Sequence, residues 1–173
     1  VALIHRQPWF ERRFNFDLPV SAAPSIIERL RGTPARVEHR LGALPRDILI
    51  HRPSPEHWSI QENAGHLYDL ESIWMTRVND LAVGRNTLTP GDAENRQTFN
   101  AHHNDHPLAQ ILTRFLEARA ELVGQLEGAD EADWMRSAMN QQIQKPMRLL
   151  DLAVYIAEHD DHHLATITDL LRR

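Results

Sequence analysis

Apolar residues recur at helical spacing in separate stretches of the chain. Between Pro24 and Leu44, the positions Ile26, Ile27, Leu30, Val37, Leu41 and Leu44 fall on one face. Gly32-Thr33-Pro34 interrupts them, so the spacing predicts a first helix kinked or split at that point. A second begins after Trp58: Ser59 is a good N-cap, and Glu62 three residues on completes a capping box. The stripe Leu67, Leu70, Trp74, Val78, Leu81 carries it to about Val83, where Gly84 supplies a stop. A third has Pro107 in its first turn and runs through Leu108, Ile111, Leu112, Phe115, Leu116 and Leu122 to about Glu127. The last spans about Arg148 to Leu171.

The connecting stretches read differently. Residues 1–20 hold Trp9, Phe10, Phe14 and Phe16, too aromatic for a free tail, and are expected to pack on the body as an arm. The proline-rich segment from His51 to His57 is a loop, and residues 85–104, with Pro90-Gly91, form a long polar connection. Asp130–Arg136 suits a short turn of helix, followed by a loop through Gln144-Lys145-Pro146. No strand alternation, internal repeat or domain boundary is visible. The expectation is an all-α, single-domain chain over residues 1–173: an up-and-down-like four-helix bundle with an N-terminal arm and a long connection between its second and third helices.

Composition narrows the function classes. With 42% hydrophobic and 25% charged residues, the chain is ordinary for a soluble globular protein. A net charge of -5 argues against a nucleic-acid-binding surface. Of 19 basic residues only Lys145 is a lysine, and the arginines are scattered. There is no cysteine, which excludes disulfides, thiolate metal ligands and a cysteine nucleophile. No apolar run is long enough for a signal peptide or a membrane span, so a cytoplasmic location is expected.

The candidate chemistry lies in histidines. His159 and His163 have the i, i+4 spacing that stacks two side chains on one helix face. Leu149, Ile156, His163 and Leu170 stand seven residues apart, and at about 100° per residue His159 lies roughly 40° from His163. The pair therefore occupies the core-facing stripe. Asp161 is expected on the opposite, solvent side, with Asp160 and His162 flanking the stripe. Two neutral rings without a shared partner are awkward to bury, which favours a metal between them. His66 shares a face with Leu70 and Ile73 and can also point inward, although a lone histidine there is more often structural. His102 and His106 repeat the H-x3-H spacing in a polar stretch, where a solvated loop or cap role for His106 is the expectation. His5, His39, His51 and His57 read as surface or loop residues. No Glu-x-x-His pair, H-E-x-x-H motif, G-x-S-x-G turn or glycine-rich phosphate loop occurs, which removes di-iron, zinc-protease, serine-hydrolase and nucleotide readings.

The segment Trp58-Ser-Ile-Gln-Glu-Asn-Ala-Gly-His66-Leu, with Glu71 following, and the segment His159-Asp-Asp-His-His163-Leu-Ala-Thr-Ile resemble the DinB-like superfamily, including its YfiT-type metal-dependent hydrolases and thiol S-transferases. The resemblance runs from the first helix to the end. It implies a four-helix bundle holding a divalent metal through one histidine of the second helix and two of the last, which here are His66, His159 and His163. The superfamily pattern often has a glutamine near the position of Thr166, so the tail departs from it there. Zinc or nickel suits three nitrogen ligands. The resemblance also implies a low-molecular-weight thiol co-substrate and a homodimer. Such a site can activate a thiol or a water, giving S-transfer, isomerisation or hydrolysis of a small-molecule substrate. Glu62, one turn before His66, is a candidate base or ligand-orienting partner, weighed against its capping role; His162 is a candidate for proton transfer. The connection over residues 85–106 and the N-terminal arm are expected at the pocket rim. The alternatives are a bundle braced by a structural ion and a dimerisation module with no metal.

Overall fold

A computed structural model describes residues 6–172. The split first helix is two helices, α1 (Ala23–Arg31) and α2 (Thr33–Leu41), divided at Gly32, with Pro24 and Pro34 in their first turns. Proline costs nothing there because the first-turn N–H groups have no helical acceptor. A short helix that the periodicity did not reveal, α3 (Arg46–Ile50), precedes the proline-rich loop. The second long stretch is α4 (Ile60–Asp69) and α5 (Glu71–Ala82). They are separated only by Leu70, across which the backbone hydrogen bonds Leu70 N–His66 O and Trp74 N–Leu70 O continue. Ser59 and Glu62 form the expected reciprocal capping box, and Gly84 adopts a φ of 72° just past the end.

The polar connection contains α6 (Arg96–Ala101), bounded by Asn95 and His102 in the left-handed region, and a 3-10 turn at His103–Asp105. Pro107 proves to be the N-cap of α7 (Leu108–Glu127) rather than its first residue. The short turn of helix is α8 (Glu131–Met135), and the long last helix is α9 (Leu149–Leu170). Between them lies a feature the sequence did not announce: β1 (Ser137–Asn140) pairs antiparallel with β2 (Lys145–Arg148). Ala138 and Met147 are register partners, and both are buried against the bundle. Strands of four residues are too short to show a period of two.

The packing also departs from an up-and-down order. α1 and α2 pack on α7, α4 and α5 pack on α7, and α9 packs on α1, α4 and α5. The first and second helical stretches, and likewise α7 and α9, therefore stand diagonally across the bundle, while α4 and α5 are direct neighbours of α7. Up-and-down neighbours are joined by short loops; the stretches 42–59 and 128–148 are long enough to cross over instead. Over residues 6–20 the arm is in place, with Trp9, Phe14 and Phe16 packed on the core and Phe10 exposed; its first five residues lie outside the described ones.

Two apolar clusters form the interior. One gathers Leu30, Trp74, Val78, Leu122, Leu150 and Ile156 with their neighbours; the other gathers Val37, Leu41, Leu67, Phe115, Leu164 and Ile167. Along α7, Arg119 falls between Phe115 and Leu122; along α9, Asp160 falls between Ile156 and Leu164. That level of the bundle is ionic. The Arg119 guanidinium donates to Glu71 of α5, to Asp160 of α9 and to the Leu30 carbonyl of α1. Thr33 of α2 donates to the same Asp160 carboxylate. Asp160 is thus fully buried, not a flank residue as its helical phase suggested. Asp161 likewise does not face open solvent: Arg29 and Arg36 from α1 and α2 hold it half-buried. Both differences arise because arginines on neighbouring helices supply partners that a helical wheel cannot show. No helix among the described residues is long and apolar enough to cross a membrane.

Candidate metal centre

α4 and α9 bring His66, His159 and His163 together. Their ring centroids are 5.2 Å (His66–His159), 4.7 Å (His66–His163) and 4.6 Å (His159–His163) apart. One nitrogen from each lies within 4.8 Å of the others, close enough for one ion to be held among them. All three side chains are buried.

The outer nitrogens of two rings are already committed. His163 Nδ1 is 2.9 Å from Asn63 Oδ1. The Asn63 amide donates to the Ser59 carbonyl, which turns its oxygen toward the ring, so His163 Nδ1 carries the proton and donates. Its Nε2 lone pair is then free for the centre. His66 Nδ1 lies 2.9 Å from the Thr98 hydroxyl of α6, which can accept in the same way. His159 Nδ1 is buried and has no partner among the described residues. Orientation of a ligand ring by a hydrogen bond at its far nitrogen is the usual support for metal-binding histidines.

Burial keeps these rings neutral, the form that ligates. It pushes His66 down to about 4 and carries His159 and His163 well below the ordinary histidine value, with neighbouring histidines adding to the effect for the latter two. Aromatic side chains close the surroundings. Trp58 lies 4.7 Å from His66, and Trp9 of the arm meets His159 edge-on at 4.9 Å.

Two openings reach the cluster. An inner cavity of about 50 Å³ is lined by Trp9, Trp74, Arg77, Tyr155, His66 and His159 among others. On the other side a cleft of about 420 Å³ is lined by Trp58, Asn63, Phe99, His162, His163 and Thr166. Both the arm and the 85–106 connection contribute to these walls. A larger concavity of about 700 Å³ lies between α2 and α7, away from the histidines.

The remaining candidates fall outside the cluster. Glu62 accepts from the Ser59 N–H and is clamped by Arg52 through both carboxylate oxygens. Burial opposes its charge, but the Arg52 and Ser59 hydrogen bonds prevail and hold it below the usual glutamate value. His162 is half-buried in the cleft wall and accepts from Arg6 at 2.8 Å; burial, then Arg6 and Arg12, push it down to about 4. His103 is buried, its Nε2 2.8 Å from Asp69, while His39, His51, His57, His102 and His106 are at least partly exposed; His5 lies outside the described residues. The sequence reading missed Asn63 and Thr98. Asn63 was discoverable, since it precedes His66 by three residues and shares its face. Thr98 lies in a polar connection and carried no signal.

This mostly helical bundle with a buried histidine cluster matches one family model. Residues 29–167 match the model described as the DinB superfamily, and the chain belongs to that family. Among solved structures it is similar to YfiT from Bacillus subtilis, described as a probable metal-dependent hydrolase with an unusual four-helix bundle topology. That match has a TM-score of 0.78 and 17% identity over 94% of this chain and 93% of that one. It is similar also to a mycothiol-dependent maleylpyruvate isomerase (TM-score 0.65, 13% identity, 95% of this chain), of whose length it spans 63%. A third likeness is to the colibactin self-resistance protein ClbS, solved with double-stranded DNA (TM-score 0.65, 11% identity, 87% of this chain and 96% of that one). A comparison with curated protein sequences finds no match.

Proposed function

We propose that His66, His159 and His163 hold one divalent ion, zinc or nickel, and that the site activates a low-molecular-weight thiol or a water against a small-molecule electrophile. The observation that carries this is the convergence of three buried neutral imidazoles, two of them oriented from behind by Asn63 and Thr98. Three neutral ligands leave the ion's charge undiminished, so a water or thiol beside it would lose its proton near neutral pH.

The chain's own residues set the rest. Asn63 and Thr98 hold two rings in the tautomer that presents Nε2. Trp58 packs against His66, and Trp9 against His159. Glu62 acts by capping α4 and anchoring Arg52, since both its oxygens are engaged; His162, on the cleft wall beside Arg6, is the proposed proton-transfer group. Thiol transfer is preferred over hydrolysis, supported by the likeness to the mycothiol-dependent isomerase. YfiT supports the hydrolytic alternative. The charge of -5 favours a small molecule over a nucleic acid, although ClbS is a DNA-bound relative in fold. A second reading, an ion that only braces α4 against α9, is favoured by the burial of the rings; the two openings onto the cluster favour catalysis.

Elemental analysis of untagged protein tests the site. The expected result is one equivalent of metal, lost in His66→Ala and in His159→Ala; unchanged metal content in those variants would refute the assignment. Metal-loaded protein is then assayed with a panel of physiological thiols and a chromogenic electrophile, against ester and amide substrates. Absence of thiol-dependent turnover would exclude transfer.

A further inference from the structure

Among the described residues two arginines are fully buried, and their surroundings treat them very differently. Arg119 is neutralised by Glu71 and Asp160. Arg77 of α5, 1% exposed, makes no ion pair among the described residues. Its Nε donates to the Thr89 carbonyl at 2.9 Å, and its guanidinium lies 5.3 Å from the Trp74 ring centroid. Nη1 and Nη2 make no hydrogen bond among the described residues and are not sealed off; the sealed side-chain atom left without a partner there is His159 Nδ1. Neither nearby carboxylate pairs directly with Arg77, although Asp92 lines the same cavity. Asp80 accepts from the Thr89 N–H and pairs with Arg85, and Asp92 accepts from the Gln97 N–H.

Arg77 lines the inner cavity that also reaches His66 and His159. Gly91 covers its edge with backbone alone: a Cβ there would stand 3.1 Å from Arg77 Nη2. A purely structural role at Thr89 needs one donor, which a neutral amide side chain would supply. The buried positive charge exceeds that need: Asp80 attracts it without forming a direct ion pair, and a buried charge without a direct partner is costly to keep. A guanidinium stays charged under these conditions, and its two terminal nitrogens match a planar carboxylate.

We propose that the inner cavity receives the carboxylate of a small anionic substrate, with Arg77 Nη1 and Nη2 as its donors and the histidine cluster beside it. The link to chemistry rests on the metal-site reading above; the anion site does not. At about 50 Å³ the cavity has room for little more than the carboxylate itself. The remainder of the substrate would lie toward Trp9 and Phe10, the latter 74% exposed.

The test is a titration of metal-free and zinc-loaded protein with 13C-formate at constant ionic strength, with 13C-formamide as the neutral isostere, read by NMR line broadening. Saturable formate binding at least tenfold tighter than formamide is expected in the metal-free protein, where formate has no ion to ligate. Arg77→Gln, with folding checked by circular dichroism, should remove that preference. Equal binding of formate and formamide by the wild type overturns the proposal, and so does an unchanged preference in a folded Arg77→Gln. If that variant does not fold, the wild-type comparison decides alone. Formate preference without zinc uptake would sink the metal reading and leave the anion site standing; zinc uptake without formate preference would do the reverse.

Discussion

Arg119 of α7 donates to Asp160 of α9 across the buried centre of the bundle, Nη1 to Oδ2 at 2.5 Å, and Asp160 is the residue directly after His159. The last helix is therefore pinned by an ionic bond one residue from the histidine cluster. Glu71 holds the other side of the same guanidinium, and its pKa is nonetheless raised, because burial outweighs the attraction of Arg119.

Removing one member of that network should strand the other charges. Asp160→Asn is expected to destabilise the protein by about 3–5 kcal/mol, the range for breaking a buried ion pair. Urea unfolding followed by circular dichroism measures it. A loss below about 1 kcal/mol, typical of exposed pairs, would show that the network adds little to stability.

Asn63 and Thr98 should matter to the ion without touching it. Asn63→Ala and Thr98→Ala are each expected to weaken zinc affinity by about 10- to 100-fold, the usual effect of deleting a partner behind a ligand. Competition with a chromogenic chelator would measure this, and wild-type affinity in both variants would contradict the orientation assigned to the rings.

The stability of the metal-free protein should depend on pH through the histidines. Their folded pKa values are depressed, so protonation is favoured in the unfolded chain. The stabilisation from neutral burial is complete above the ordinary value of 6.5 and is lost as pH falls toward about 4, the value for His66. For His66 alone this amounts to about 3 kcal/mol at roughly 1.4 kcal/mol per pH unit. Glu62 and Glu158, whose pKa values are held below 4.5, add a loss only at lower pH. Thermal midpoints between pH 7 and pH 4.5 should fall steadily; a flat profile would mean the rings are not buried as described.

Gly65 packs against the ring of His103, leaving no space for a Cβ. Gly65→Ala should cost about 1–3 kcal/mol by overpacking. It should also loosen the 85–106 connection, which His103 fastens to α4 through Asp69 and which Gln61 holds through the His103 and His106 carbonyls. Hydrogen exchange of that segment would rise; unchanged exchange would show that the connection is anchored elsewhere.

The four helical stretches were legible because each is long enough for its apolar stripe to repeat several times. So was the placing of His159 and His163, whose phase on α9 follows from the leucines around them. The inward turn of His66 needed the resemblance, since one histidine on a half-apolar face has many uses. What stayed hidden depended on contacts between elements distant in sequence. Asp160 looked like a flank residue until α7 brought Arg119 to it. Nothing in the sequence singles out Arg77, and only the fold shows it buried with no direct ion pair among the described residues. The hairpin was too short to leave a period in the sequence.

The diagonal placing of the first helical stretch against the second, and of α7 against α9, has a kinetic consequence. His66 and His163 meet only after the chain between them, with α7 inside it, has found its place; the first helix likewise waits for α7 and α9. Such distant pairings carry a loop-closure cost that neighbouring hairpins avoid, so this bundle is expected to refold more slowly than an up-and-down bundle of equal length.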